Sequence, residues 1–514
     1  MRRIIAFLLV AVLCMGLFGC GETKQTKVPE TFCVGYAKAD ITPIDPVPLG
    51  GYGDHDERIS KGFLETLYAT CVAFSDAEGE KLLLISVDLS GCRDEVFTPL
   101  RKQIAEENGI PVSHVLFTAS HSHSSPHIQS VSKAYITMIQ QNIAVGAAAA
   151  LADLAPATME TGFDRVDRLN TNRHYLLTNG KYQGREVGTL PKSEIVGHYD
   201  KADNLLQVVK FTRAGEKKPV VLVNWTGHPT GMKNEKYYYA SPNYIGVLRT
   251  TLEQSHGCEV SFVLSGSGNV NNGSQFSADV DYDAGDYITL GQTLGKHAGE
   301  ILDSKLSSGK ADNIILSENL FQAKDKSGIN QEVPLYAFSV GDWACVTAPF
   351  EIFDTNAVAV REASDFAMTF YASCSNNAMG YLPTPASFDW EITYEAEITK
   401  FPKGMAETVQ QQLTNQLAEI FAKSGNEKTE KREGYLSTPF VPQSDGLVYQ
   451  NPAPGNWAQC MEVNNGFYSI VLLTGSSFKT MLCLDKSVAE KVVAAGTMQL
   501  VFNEQSVIVD VIPQ

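Results

Sequence analysis

The stretch TASHSHSSPH, Thr118 to His127, holds three of the chain's ten histidines at i, i+2 and i+6, directly after the apolar run HVLFT. Two residues apart on extended backbone, His121 and His123 leave from the same face, so both imidazoles could share one ion. The same pair would equally suit a solvated Ser/His loop, and His127 reads as a surface histidine. Further along, PVVLVNWTG runs into His228-Pro229-Thr230, and SFVLSGSG into Asn269-Val270-Asn271-Asn272-Gly273. WACVTAP runs into Phe350-Glu351, and FYASCSNNAMG into Tyr381. Singly, each has a plain structural reading: His228 as a hydrogen-bonded loop histidine, Glu351 as an acid favouring a helix N-terminus, Tyr381 as a turn aromatic. Together, two histidines and a carboxylate are the ligand set of an open catalytic zinc site.

These residues need a frame that ends several strands at one place. KLLLISVDLS, HVLFTAS, PVVLVNWTG, EVSFVLSGS and AMTFYAS are continuous apolar runs of strand length. Stretches of helical period separate them: Glu95–Asn108, the segment KAYITMIQQNIAVGAAAALADL, Tyr244–Ser255, Asp286–Leu306 and a long helix over Glu391–Lys423. Such alternation predicts an α/β fold with a mixed sheet covered by helices, where ligands bind outside the carboxyl ends of strands. The charged stretch AKSGNEKTEKREG reads as a linker. After it, strand-like pieces bounded by Gly, Asn and Ser, with one helical piece near Val488–Ala495, predict a small β-rich module over residues 431–514 or strands that return to the main sheet.

Composition limits the partners. The 514 residues carry 58 acidic and 41 basic side chains, a net charge of −17 that would repel a nucleic acid. At the N-terminus, Arg2-Arg3 precedes an apolar run, Ile4 to Phe18, too short for an ordinary membrane span. Leu17-Phe18-Gly19-Cys20 resembles a bacterial lipobox, so residues 1–20 read as a lipoprotein signal peptide with Cys20 carrying the lipid, and residues 21–30 as a polar tether. A plain secretory signal is the alternative. Export would permit disulfides, but the eight cysteines after Cys20 form no C-x-x-C, and several lie in apolar runs, which equally suits buried thiols.

The motifs have a family likeness. VGYAKADITPIDPVPLGGYG, LLISVDLS, FTASHSHSSP, LNTNR, VNWTGHPTGM, TAPFEIF and YLPTPASFDWEITYE resemble segments of the neutral/alkaline (non-lysosomal) ceramidases, over roughly residues 33–425. These are zinc amidases that cut the N-acyl bond of sphingolipids. The resemblance implies that residues 31–430 form a zinc-dependent catalytic domain. It implies that His121, His228, Glu351 and Tyr381 bind zinc, that His123 and Tyr394 stabilise the oxyanion of the scissile amide, and that Arg173 belongs to the active site. It also exposes a departure: Asn271 stands where those enzymes carry an active-site serine.

An amide needs a nucleophile, oxyanion stabilisation and a proton for the leaving amine. With no serine at position 271, zinc-bound hydroxide is the nucleophile that the resemblance implies, and Asn271 can only orient. The expected reaction is N-acylsphingosine plus water giving a fatty acid and a sphingoid base, on a lipid or other N-acyl small molecule met at the cell envelope. Two rival readings are a zinc hydrolase of another amide or ester, and a non-catalytic extracytoplasmic binding lipoprotein, although no duplicated lobes mark the latter.

Overall fold

The structure is a computed structural model that describes residues 31–184, 191–272 and 286–514. Cys20, the lipid-bearing residue expected from the sequence, lies outside them, and no described helix is long and apolar enough to cross a membrane. A nine-stranded sheet carries the first half of the chain. Its main path runs Glu259–Leu264, Val220–Trp225, Leu205–Arg213, Ala155–Arg165, Cys33–Asp40, Tyr68–Ser75, Lys81–Val87, Val115–Ala119. Only the two outermost pairs are parallel, Val220–Trp225 with Glu259–Leu264 and Lys81–Val87 with Val115–Ala119. The remaining neighbours on that path are antiparallel, as a mixed sheet requires.

The two ends of this sheet meet because it curls. Tyr36 donates its hydroxyl to the Val260 carbonyl at 2.9 Å, the Thr70 and Ser261 hydroxyls lie 2.8 Å apart, and Ser86 Oγ donates to the Phe262 carbonyl at 2.6 Å. Strand Glu259–Leu264 therefore lies against strands from the other end of the same sheet. A second, four-stranded sheet contains the hairpin Ile314–Lys324/Asn330–Val340, then Trp343–Thr347 and Met368–Ala372. Phe74, Phe211, Trp343, Phe338 and Phe370 fill the core between the sheets. Outer faces are covered by helices. Asp94–Asn108 and Lys133–Ala152 cover one side, Tyr244–His256 and Tyr287–Ser304 a second, and Asp354–Ala363 with Met405–Ser424 a third. Each contributes an apolar stripe, for example Phe97, Leu100 and Ile104 of the first helix, all nearly or wholly buried.

Two expectations need correction. The long helix over Glu391–Lys423 is broken into a short helix, Tyr394–Ile398, and Met405–Ser424. Pro402 cannot donate an intrahelical hydrogen bond, and Gly404 takes φ +93° as the second helix begins, so the chain turns there. The charged stretch before Tyr435 is not a loose linker. Lys428 pairs with Asp365 at 2.6 Å, Lys431 donates to the Phe366 carbonyl, and Arg432 donates to Ser307 Oγ at 2.8 Å. Tyr435 itself is buried in the central core.

Residues 443–513 answer the question left open for the C-terminus. Their strands form a separate seven-stranded sheet around helix Lys486–Ala494, with Ile470, Leu472, Val488, Val492 and Leu500 inside. That sheet docks on the rest through Leu176, Phe467, Leu482 and Val507, and through Gln505 Nε2 donating to the Tyr199 carbonyl at 2.7 Å. All eight described cysteines are buried free thiols.

Candidate metal centre

Strand ends converge here because their loops hydrogen-bond to one another in series. Ala119 N–H donates to the Cys374 carbonyl, Ser373 N–H to Leu264, Gly268 N–H to Ile352 and Glu351 N–H to Gly380, all at 2.8–3.3 Å. His228 N–H donates to the Val270 carbonyl at 3.0 Å. Glu351 does not open a helix, as its sequence context suggested. It lies in a two-residue strand, Glu351–Ile352, parallel to Tyr381–Leu382, and Glu351 and Tyr381 are register partners. Strand pairing thus holds two of the expected zinc ligands side by side.

The imidazoles of His121, His123 and His228 meet at their Nε2 atoms. His121 and His228 are 3.1 Å apart, His121 and His123 3.3 Å, and His123 and His228 3.0 Å. Glu351 Oε2 lies 3.2 Å from His121 Nε2 and 3.7 Å from His228 Nε2. In a tetrahedral zinc site with ligand bonds of ~2.0–2.1 Å, donors sit roughly 3.3–3.4 Å apart. The spacing fits one ion.

Ring orientation fits as well. His121 Nδ1–H donates to the Ser90 carbonyl at 2.6 Å and His228 Nδ1–H to the Ser267 carbonyl at 2.9 Å. A neutral ring pinned in that way presents its lone pair from Nε2, which is how ligating histidines are oriented. His121 has φ +61°, an uncommon conformation for a residue with a side chain, held by its own N–H donating to the Leu89 carbonyl at 2.9 Å. Burial, together with His121, His123 and Arg173, pushes His228 well below the usual histidine range, toward the neutral ligand form. Burial opposes charge on His121, but Cys374 and Glu351 outweigh it and raise this pKa. Burial likewise raises the Glu351 carboxyl, yet His121, His228 and a hydrogen bond from Tyr381 prevail and hold it at about 2. A buried three-histidine group beside an ionised carboxylate can hold a metal ion.

Of the other expected residues, Tyr394 lines the cleft above the cluster, its ring 5.7 Å from that of Tyr381 in a T-shaped contact. Arg173 is not in the cleft lining. It is buried behind Tyr381, with Nη2 3.2 Å from the Tyr381 hydroxyl and Nε donating to Glu395 Oε1 at 2.7 Å. Asn271 is paired with Thr171, and its backbone bridges to His228. His127 lies on the cleft rim, outside the three-imidazole group, with Nδ1 2.8 Å from Ser130 Oγ.

Several residues that shape the site carried no signal in the sequence. Arg58, wholly buried, donates to the carbonyls of Gly50 at 3.0 Å and His123 at 2.7 Å, and so clamps the GGYG loop to the HSHS loop. Glu395 binds both Arg173 and His174, whose Nε2 lies 3.2 Å away. Asn376 accepts from Phe117 N–H at 2.9 Å and donates to Thr347 Oγ1 at 3.1 Å, joining the two sheets below the site. Asp88 acts structurally: Arg249 grips both its oxygens.

Residues 32–273 match the neutral/alkaline non-lysosomal ceramidase family, N-terminal part. Among solved structures, the fold is similar to "Ceramidase complexed with C2", with a TM-score of 0.62 at 15% identity over 86% of this chain and 84% of that one. It is also similar to a neutral ceramidase from Pseudomonas aeruginosa, with a TM-score of 0.61 at 14% identity over 88% of this chain and 92% of that one. At these identities the likeness is one of fold. No curated protein matches the sequence.

Proposed function

With residues 32–273 matching the neutral/alkaline ceramidases, we propose that the chain is a zinc-dependent, ceramidase-like hydrolase of N-acyl amides. The observation that carries the proposal is the convergence of three imidazole Nε2 atoms and the Glu351 carboxylate at the floor of an open cleft of about 280 Å³. His121, His228, Glu351 and Tyr381 would hold the ion. When bound, zinc supplies Lewis-acid polarisation of a carbonyl and acidifies water toward a pKa of about 7.

The protein's own residues do the rest. His123 faces the cleft beside Tyr52, ring centroids 5.0 Å apart, and Tyr394 lines the same wall, so both can donate to the oxygen of the scissile amide. A well-placed donor of that kind contributes about 3–4 kcal/mol to the barrier. Arg173 does not touch substrate. It fixes the Tyr381 hydroxyl from behind, and Glu395 in turn fixes Arg173. Asn271 has an amide where a nucleophilic serine would stand, so water is the attacking species, and Asn271, outside the described lining of the cleft, supports the site through its backbone bridge to His228. The amine leaves with a proton carried from that water by a cleft imidazole. Lipidation at Cys20 would hold the mature chain at the bacterial cell envelope, close to lipid amides.

A panel of N-acyl lipids that includes N-acylsphingosine, assayed with and without chelator, tests the proposal. Chelator-sensitive release of fatty acid supports it. Hydrolysis of esters but of no amide would shift the assignment to another zinc hydrolase, and absence of any hydrolysis by metal-loaded protein would favour a binding lipoprotein.

A further inference from the structure

The cleft over the metal centre is cationic at its mouth, in a chain where acidic side chains outnumber basic ones 58 to 41. Arg93, half-buried, and Lys400 both line it, and Glu351, at the metal centre, is the sole carboxylate among its described lining residues. No described carboxylate lies within ion-pair distance of either cation, although Asp325 interacts with Lys400 electrostatically from further away, whereas many of the chain's other lysines and arginines are ion-paired.

Both cations are placed by the same contacts that build the site. Arg93 follows three residues after Ser90, whose carbonyl accepts from His121 Nδ1. Lys400 follows Thr399, whose hydroxyl donates to the Tyr381 carbonyl at 2.7 Å, and the Lys400 carbonyl accepts from Lys326 N–H at 2.7 Å. Met379, Tyr52 and the half-exposed Ile398 supply the apolar part of the lining. The open cleft has a volume of about 280 Å³. That space holds the amide, a short head group and the first methylenes of a chain. Because Arg93 and Lys400 line the same cleft as His121 and Glu351, a charge that meets them sits on the head group next to the amide.

We propose that Arg93 and Lys400 select an N-acyl amide with an anionic group, such as a carboxylate, a few bonds from the scissile bond. The inference rests on the hydrolase reading above and narrows its substrate class. In the reaction, water adds hydroxyl to the acyl carbon, the C–N bond breaks and the nitrogen takes the proton, giving a fatty acid and an anionic amine such as an amino acid. A half-buried guanidinium and an exposed ammonium at the mouth of an open cleft, neither held in an ion pair by a described carboxylate, recognise a carboxylate by charge-assisted hydrogen bonds. They act on binding more than on chemistry, so the effect falls on KM.

N-lauroylglycine and N-lauroylethanolamine share chain and amide and differ in a carboxylate against a hydroxymethyl group. With the zinc-loaded wild-type chain, kcat/KM is expected to be about tenfold or more higher for the carboxylate. In Arg93→Gln/Lys400→Gln that ratio should fall about tenfold, chiefly through KM, whereas Arg93→Lys should keep most of it. A wild-type ratio near one, or loss in equal proportion on both substrates, overturns the inference while leaving the hydrolase reading intact. If the folded, metal-loaded chain cleaves neither these probes nor any lipid of the wider panel, the hydrolase reading falls and this inference with it.

Discussion

Replacing Gly51 with alanine tests whether the GGYG loop sets the position of His123. Gly51 has φ +96°, and a Cβ built on it would lie 2.4 Å from His123 Cα and Cγ and 2.5 Å from its Cβ. Ordinary carbon–carbon contact is ~3.5 Å, so one partner must move by about 1 Å. The GGYG loop cannot simply swing away, because Arg58 ties Gly50 to His123 and Gly50 N–H donates to the Ser125 carbonyl at 2.7 Å. His123 therefore gives way, or the clamp opens. The left-handed backbone alone costs about 1–2 kcal/mol with an alanine. A displacement of about 1 Å in a catalytic group costs on the order of 100-fold in rate, equivalent to ~2.7 kcal/mol. Gly51→Ala should therefore lower kcat on N-lauroyl substrates about 100-fold and lower the melting temperature by a few degrees, with zinc content near wild type. Activity within twofold of wild type at an unchanged melting temperature would refute this reasoning, since His123 would then not depend on the loop.

Glu395→Gln removes the carboxylate from a fully buried pair and leaves Arg173 uncompensated, which should destabilise the fold by about 3–5 kcal/mol in denaturant titrations. Burial raises the Glu395 carboxyl, but Arg173 and His174 outweigh it and hold it well below the usual range. A depressed carboxyl contributes stability that is present above its unfolded pKa of about 4.5 and lost as pH falls through the folded value. Wild-type stability should thus fall more steeply below pH ~4.5 than that of Glu395→Gln, and equal slopes would contradict the pair's role. His123→Ala should retain zinc while losing about 100- to 1,000-fold in kcat, and loss of the ion instead would place His123 among the ligands, as its 3.0–3.3 Å spacing also permits. Cys20→Ser should release the native protein from the detergent phase or leave it unprocessed. A wild-type mature N-terminus several residues beyond Cys20 would instead mean plain secretion.

The parts of the fold legible in the sequence were those written in short-range pattern. Val115–Ala119, Val220–Trp225 and Glu259–Leu264 are continuous apolar runs, each ending where a polar residue cannot continue a buried strand, and these ends carry His121, His228 and Asn269. Periodicity could not show that the sheet curls so that its two ends meet, because that follows from contacts such as Tyr36 to Val260 across more than 200 residues. Glu351 looked like a helix opener because Asp354–Ala363 does begin three residues later, and only its pairing with Tyr381 makes it a strand residue. Arg58, Glu395 and Asn376 were illegible for a related reason. A charged or amide side chain outside an apolar run reads as solvated until its distant partners are known, and each of these is buried beside such partners. Tyr381 as a ligand came from the family resemblance alone, since spacing offers no cue for a phenol on a metal.

The central claim is that one metal ion, held between His121, His228 and Glu351, is required for cleavage of an N-acyl amide. Elemental analysis of the purified chain, paired with fatty-acid release from N-lauroyl substrates, tests it directly in wild type and in His228→Ala. The account predicts close to one zinc per wild-type chain, activity abolished by chelator and restored by added zinc, and neither metal nor activity in a folded His228→Ala. Full hydrolysis by metal-free protein, or full zinc occupancy and activity in His228→Ala, would contradict it.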